Sequence, residues 1–533
     1  MPESITALLP EKPPMSFLPT HIPLLRDIQI DADGCLRIRL DLHEPATEHA
    51  YRLVLRRRGD GLEVVGDIED GAQASIAATA LLADESNRWD VRLQMLVGEV
   101  CQYDELLRGA PLPAEQPRHF FQGRYGDHGL SAYFTESANS LALYIAEAER
   151  HARIVATENA RHMYQGYLSE LPLIDNLVFF ESFLGKTYSG NPRYLYEFLL
   201  RTRPDLQFVW SYDGLQPIPG NPRIVSRSSA DYYRLLAQAR YRVNNVLFPV
   251  HGRKPETFYL QTWHGTPLKR LSFDIELKGP EVDARENFYR ESRSWSCLLS
   301  ENAYSTQVFR RAFRYDGEIL EAGYPLTDPL LDRGISRALL AERLGLPAGK
   351  RFILYAPTWR DNNATALWQH RFDLKLDLEA VSHALEDDQV LLIRAHHLVS
   401  ERLDHRRLPA NVIDLSALDD INELCMLADV LITDYSSVFF DFAVTGRPIL
   451  FYCYDLEEYA NEIRGFYLDV HDDLPGPVAR STGELLGLLA RLQQVSADYA
   501  SRYREFQRRF CSLNDGRAAE RVAASIFGGA HAD

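Results

Sequence analysis

Apolar positions change their rhythm along the chain. Over residues 21–146 they alternate with polar ones in short runs, as in Leu36-Arg37-Ile38-Arg39-Leu40, Tyr51-Arg52-Leu53-Val54-Leu55 and Val91-Arg92-Leu93-Gln94-Met95-Leu96. A period of two marks strands with one buried face. Asp31-Ala32-Asp33-Gly34 and Arg58-Gly59-Asp60-Gly61 supply turns between such strands. With the proline-rich arm over residues 1–19, this predicts an N-terminal all-β, sandwich-like accessory domain at 1–146. Residues 147–172 then read as a linker helix. Its stripe of Ile154, Val155, Met163, Tyr167 and Leu168 suits packing on a domain or contact with a membrane surface.

From Leu173 the apolar residues gather into unbroken runs, at 176–180, 207–210, 241–246, 258–263, 297–299 and 319–322, with helix-like segments between them. Fully apolar strands alternating with helices predict a parallel sheet covered on both faces. A first Rossmann-like, acceptor-side domain is therefore expected at 173–330. A second, donor-binding domain with C-terminal helices is expected at 331–533, from runs at 352–355, 390–394 and 412–415 and the stretch 431–452. That stretch, LITDYSSVFFDFAVTGRPILFY, reads as strand, turn, buried helix and strand. Gly446 and Pro448 stand where the helix stops. The fold class is α/β, a pair of doubly wound domains, and ligands of such folds bind beyond the carboxyl ends of the strands.

Composition narrows the picture without deciding it. The 533 residues are 46% hydrophobic and 25% charged, as in a soluble globular protein. A formal charge of −17 sets aside free-ranging nucleic-acid binding. Cys35, Cys101, Cys297, Cys425, Cys453 and Cys511 form no CxxC pair, which fits reduced thiols in the cytosol. The start, MPESITALLPEKPP, lacks the layout of a signal peptide. No apolar run reaches the ~20 residues that cross a bilayer.

Candidate chemistry sits directly after strands. His264 with Gly265 and Thr266, Pro357 with Thr358, Arg394 with His396, and Ser436 with Ser437 all fall there. His264 can take a proton from an acceptor hydroxyl near neutral pH, or serve as a hydrogen-bonded structural residue. Arg394 and His396 lie two apart and face one way, suited to a diphosphate. Ser436 and Ser437 either cap the following helix or offer hydroxyls and backbone N–H groups to an anion. Lys269 and Arg270 form a solvated face or draw an anion inward. His396-His397 makes a poor metal site, because neighbours on a strand point to opposite faces and no carboxylate is grouped with them. Asp31 and Asp33 form a D-x-D beside Gly34, the composition of a hairpin turn.

These pieces resemble the CDP-glycerol glycerophosphotransferase family, the teichoic-acid primases and polymerases of GT-B architecture. The resemblance rests on Trp263-His264-Gly265-Thr266-Pro267-Leu268-Lys269, Tyr355-Ala356-Pro357-Thr358-Trp359-Arg360-Asp361, Leu392-Ile393-Arg394-Ala395-His396 and Thr433-Asp434-Tyr435-Ser436-Ser437-Val438-Phe439-Phe440-Asp441, in that order. Arg464-Gly465-Phe466-Tyr467 and Leu513-Asn514-Asp515-Gly516-Arg517 extend it. It implies that Trp263, His264, Gly265, Thr266, Pro267, Pro357, Thr358, Arg394, His396, Ser436, Ser437 and Asp441 contact a CDP-linked donor, with Lys269 in the same motif. His264 would be the base and His396 the diphosphate partner. No metal or other cofactor would be required. The implied reaction moves glycerol phosphate from CDP-glycerol to a lipid-linked or growing teichoic-acid or capsule-like polymer, releasing CMP, at the inner face of the cell membrane.

One position departs from the family. Gly323-Tyr324-Pro325-Leu326-Thr327-Asp328 stands where the family carries an arginine in place of Leu326. CDP-ribitol or another CDP-polyol therefore stays open as donor. So does a GT-B glycosyltransferase using a nucleotide sugar, and so does a silent polymer-binding protein acting through its β domain.

Overall fold

A computed structural model of the chain describes residues 24–41, 50–69, 72–82, 87–109, 112–113, 116–276, 280–358, 375–395, 408–459 and 465–528. They belong to two compact units, one of residues up to Leu171 with Ser228–Arg234, the other of Pro172–Arg227 and Leu235 onward.

In the first unit the alternation read from the sequence becomes strands. Cys35–Asp41 buries Leu36, Ile38 and Leu40 and turns Arg37 and Arg39 to solvent. Ten antiparallel strands share one hydrogen-bonded sheet, whose path runs from Leu24–Ile30 to His119–Tyr125. The expected sandwich would consist of separate sheets. Here Gln73–Ala77 pairs with Cys35–Asp41 on one side and Glu63–Glu69 on the other, which joins the halves. One core nevertheless draws on both ends of the path, with Leu36 and Ile38 packed in the same cluster as Leu130 and Leu143. The sheet is thus folded over onto itself.

The D-x-D is a hairpin turn, as its composition predicts. Gly34 N–H donates to the Asp31 carbonyl at 3.0 Å and Cys35 N–H to its carboxylate at 2.8 Å. The linker segment forms two helices, Ala148–His162 and Tyr164–Glu170. Glu147 caps the first by accepting from the N–H groups of Glu149 and Arg150. Val155 packs with Tyr133, Ala142 and Tyr144, so that part of the stripe is covered by the sheet.

The second unit holds two wholly parallel sheets. The first runs Arg223–Val225, Gln207–Ser211, Ile174–Glu181, Ala239–Asn244, Phe258–Gln261, Cys297–Ser300, Glu318–Glu321. The second runs Val412–Asp414, Gln389–Ile393, Arg351–Ala356, Ala428–Thr433, Ile449–Tyr452, Val478–Ala479. In both, chain order reverses beside the first strand, at Ile174–Glu181 and at Arg351–Ala356. That reversal splays the loops apart and opens a crevice at the carboxyl edge.

One segment departs from the expected division. Helix Ala518–Phe527 follows the second sheet in sequence, yet Val522, Ala523 and Phe527 enter the core of the first. Asp328 explains the placement, since its carboxylate accepts from the N–H groups of Ala518 at 2.9 Å and Ala519 at 2.8 Å. A carboxylate there satisfies two otherwise unpaired N–H groups at the positive end of the helix dipole.

Candidate active site

The strand Phe258–Gln261 delivers the segment 262–269 to the carboxyl edge of the first sheet. Trp263 takes a left-handed backbone, φ 54°, a conformation a bulky residue adopts only when its surroundings impose it. Its indole is buried among Phe288, Phe309 and Phe313. The ring also stacks on His264, with centroids 4.2 Å apart. His264 Nδ1 lies 2.7 Å from the Asn245 carbonyl. A carbonyl only accepts, so Nδ1 carries the hydrogen and the neutral ring keeps its lone pair on Nε2.

Gly265 has φ 142°, and a Cβ there would fall 2.5 Å from Ser437 Oγ and 3.0 Å from Ser437 Cβ. The missing side chain is what lets the loop of the first sheet reach the turn of the second. Thr266 is buried and donates to Glu301, while accepting from Asn302 Nδ2 at 3.3 Å. The Pro267 carbonyl accepts from the Tyr304 hydroxyl at 2.8 Å. Lys269 bridges to Phe466, and Arg270 N–H donates to the Gly465 carbonyl at 3.1 Å. The His264 loop is thereby stitched to the connection between the last two strands of the second sheet, Ile449–Tyr452 and Val478–Ala479.

On the second sheet, Thr358 N–H and Tyr435 N–H donate to Asp434 Oδ1 at 2.8 and 2.6 Å, tying two strand-end loops together. Ser436 Oγ accepts from Val438 N–H at 3.4 Å and Ser437 makes no side-chain cap. The helix Val438–Ala443 is six residues long, so the anion reading of the serines rests on their hydroxyls more than on a dipole. Asp441 is buried, with no hydrogen-bond partner at Oδ1 among the described residues. Burial pushes its pKa up, and the nearby Glu301 carboxylate adds to the rise. Glu301 is raised as well by burial, against the hydrogen bonds from Thr266 and Asn514. A carboxyl kept protonated can donate a hydrogen bond.

Arg394 follows Gln389–Ile393. Its Nη1 donates to the Ala395 carbonyl at 2.7 Å, and its Nε is buried with no partner among the described residues. Burial lowers its pKa, opposed by Asp420, Asp419 and Asp414. His396 and His397 lie outside the described residues.

A cavity of about 700 Å³ is lined by His264, Arg394, Asp441, Asp419, Leu326 and Phe183 among others. A second, of about 350 Å³, is lined by Trp263, Gly265, Thr266, Pro267, Lys269 and Ser437, and His264 lines both. The structure thus brings together most of the sequence-derived site. Pro357, Thr358 and Ser436 line neither cavity and stand at the neighbouring strand ends. Leu326 faces the larger cavity, with its N–H donating to Asn191 Oδ1 at 3.2 Å and its carbonyl accepting from Asn422 Nδ2 at 2.6 Å.

Sequence reasoning missed the groups that join the lobes under the larger cavity. Asp419 accepts from Tyr188 N–H at 3.0 Å and from the Tyr212 hydroxyl at 2.7 Å. Arg193 pairs with Asp420 at 3.3 Å and with Glu423 at 2.7 Å, both carboxylates nearly fully buried. The only available signal was charge in otherwise apolar helices. Among the described residues no three His, Cys, Asp or Glu cluster as a metal site would require.

The description "CDP-Glycerol:Poly(glycerophosphate) glycerophosphotransferase" matches residues 163–528. The chain is 40% identical over 360 residues to the teichoic acid poly(glycerol phosphate) polymerase of Staphylococcus epidermidis, covering 66% of this chain and 50% of the relative. The match spans about half the length of this relative and of the corresponding polymerase of Bacillus subtilis. The teichoic acid glycerol-phosphate transferase of Staphylococcus aureus is 40% identical over 372 residues, 68% of this chain and 95% of the relative. A solved structure of the wall teichoic acid polymerase TagF superposes with a TM-score of 0.65 at 38% identity, covering 70% of this chain and 93% of that one. With more than half of its length inside the family match, and relatives of this identity in sequence and in structure, the chain belongs to the CDP-glycerol:poly(glycerophosphate) glycerophosphotransferase family.

Proposed function

We propose that this protein transfers glycerol phosphate from CDP-glycerol to the terminal hydroxyl of a glycerol-phosphate polymer and releases CMP. The observation that carries this reading is the imidazole of His264, fixed through Nδ1 by the Asn245 carbonyl at the place where the two cavities meet. Nε2 accepts the proton of the acceptor hydroxyl. The hydroxyl oxygen bonds to the phosphorus bearing the glycerol, and the bond from that phosphorus to the bridging oxygen breaks. The bridging oxygen leaves with its electron pair on CMP. Arg394, Ser437 and a protonated Asp441 provide donors for the phosphate oxygens. His396 is assigned to the same diphosphate by its place two residues beyond Arg394. Fixed donors carry the charge in this scheme, so no divalent cation or other cofactor is invoked.

The relatives' names support a glycerol-phosphate donor and acceptor, and one TagF structure comes from crystals soaked with CDPG. The acceptor is taken to be lipid-linked and presented at the inner membrane surface, with the protein bound there peripherally. Among the described residues no helix is long and apolar enough to cross a membrane. The folded-over β sheet is taken as a sandwich-like accessory domain outside the reaction.

The test is CMP release from CDP-glycerol with a glycerol-phosphate acceptor. His264→Ala should lower the rate about 10²–10⁴-fold, the usual worth of a positioned base, and chelators should leave it unchanged. Turnover that survives His264→Ala removes the base, and turnover that chelation abolishes removes the metal-free scheme. A second reading, CDP-ribitol as donor, is favoured by Leu326 alone. Thermal stabilisation by CDP-ribitol exceeding that by CDP-glycerol would select it.

A further inference from the structure

The first unit holds a cavity of about 610 Å³ that the reaction does not use, lined by Arg58, Arg88, Arg118 and Arg161 together with Asp90, Glu136 and Glu158. Four guanidinium groups against three carboxylates reverse, at one place, the sign of a chain whose formal charge is −17. The arginines are held in place. Arg88 sits over the rings of Tyr133 and Tyr144, 5.2 and 4.7 Å from their centroids. It donates to the Tyr133 hydroxyl at 2.8 Å and pairs with Glu158 at 2.5 Å. Arg118 lies 5.1 Å from the Tyr133 centroid, and its Nε is buried with no hydrogen-bond partner among the described residues. Arg58 is turned toward Asp90, at 2.6 Å. Arg161, in the last turn of helix Ala148–His162, is exposed and has no ion-pair partner among the described residues.

The carboxylate that holds Arg88 is ionised. Glu158 sits at about 2, with its bonds to His119 and Arg88 outweighing burial. His119, beside Glu158, is lowered by burial and stays neutral. Arg118 Nη1 is held by Glu136 at 3.1 Å, so the guanidinium that lines the polar cavity with no carboxylate of its own among the described residues is that of Arg161. Planar guanidinium donors in fixed positions suit phosphate oxygens, and the volume is that of a small-ligand site.

We propose that this cavity binds the phosphodiester backbone of a polyol-phosphate chain, giving the protein a second polymer-binding site apart from its active site. The identity of the polymer rests on the function proposed above; the preference for a phosphodiester anion does not.

The probe is a fluorescent, lipid-free glycerol-phosphate oligomer, titrated into the full chain. Arg161→Glu, at an exposed residue with no ion-pair partner among the described residues, should weaken binding about tenfold, the loss of one charge-assisted contact plus local repulsion, and should flatten its salt dependence. Arg161→Lys should recover most of the affinity. CMP release with a single-unit acceptor should be the same in Arg161→Glu as in the parent. The proposal is overturned if Arg161→Glu binds the oligomer as tightly as the parent, or if an uncharged oligosaccharide competes as well as the oligomer. It is also overturned if anionic lipid vesicles, but not the oligomer, lose binding on substitution. A parent that binds the oligomer through Arg161 yet releases no CMP would sink the proposed function and leave the phosphodiester site standing.

Discussion

At Gly265 a methyl group has nowhere to go. The backbone there is left-handed, and the missing Cβ would press on both Oγ and Cβ of Ser437. Gly265→Ala should lower stability by about 1–3 kcal/mol, the range for strain at such positions, and should lower CMP release further by pushing Ser437 from the cavity it lines. Adding Ser437→Gly removes the clash and leaves the backbone strain, so melting temperature should recover only in part. No recovery would show that the contact is not what the glycine serves, and full recovery would show that the backbone strain contributes nothing. Glu301 makes a different prediction. Burial raises its pKa to about 7 from an ordinary 4.5, so the folded chain holds this proton more tightly than the unfolded chain. Stability from that source is whole below about pH 4.5 and is lost as pH rises through 7. Glu301→Gln should therefore flatten the fall in melting temperature between pH 5 and 8, measured side by side with the parent. An equal fall in both proteins would assign the pH dependence elsewhere.

At the scale of elements, the legible parts of the site are those in which chemistry and strand end adjoin in sequence. Trp263 through Pro267, Arg394 and Ser436-Ser437 each follow an apolar run within three residues. A strand pattern with polar residues behind it was enough to point to them. The ion network under the cavity has no such local mark. Arg193 meets Asp420 and Glu423 across 227 and 230 residues of sequence, and each reads alone as an ordinary charge on a helix. The three are nonetheless buried together. Removing Arg193 leaves the buried Asp420 without its ion pair, while Glu423 keeps Arg343 at 2.9 Å, at a cost of about 3–5 kcal/mol for a broken buried pair. Arg193→Met should show that loss in denaturant unfolding, and adding Asp420→Asn should return part of it, because an uncharged amide no longer needs the guanidinium. If the double variant is no more stable than the single one, the pair is not the source of the loss.

Across the whole chain, the sequence marked where parallel sheets begin, because unbroken apolar runs are conspicuous, and it mistook where the last helix goes. Chain order suggested the second sheet. The structure places helix Ala518–Phe527 against the first, held by Asp328 at its start and by Phe527 at its end, where the ring lies 4.6 Å from that of Tyr241. Only the tertiary position of Asp328, 191 residues before Ala519, could have shown this. The consequence is that the chain's last segment ties back to the lobe carrying His264, while Gly265, Lys269 and Asp419 tie that lobe to the second sheet. Stability and activity of the unit should then fail together. Phe527→Ala removes a buried ring from the first core and should cost about 3–5 kcal/mol. CMP release and circular dichroism should still decline at one shared, lowered denaturant midpoint, since the lobes have no independent way to unfold. A variant that loses activity at a distinctly lower denaturant concentration than its helical signal would show that the lobes come apart first, and that the helix stabilises one sheet alone.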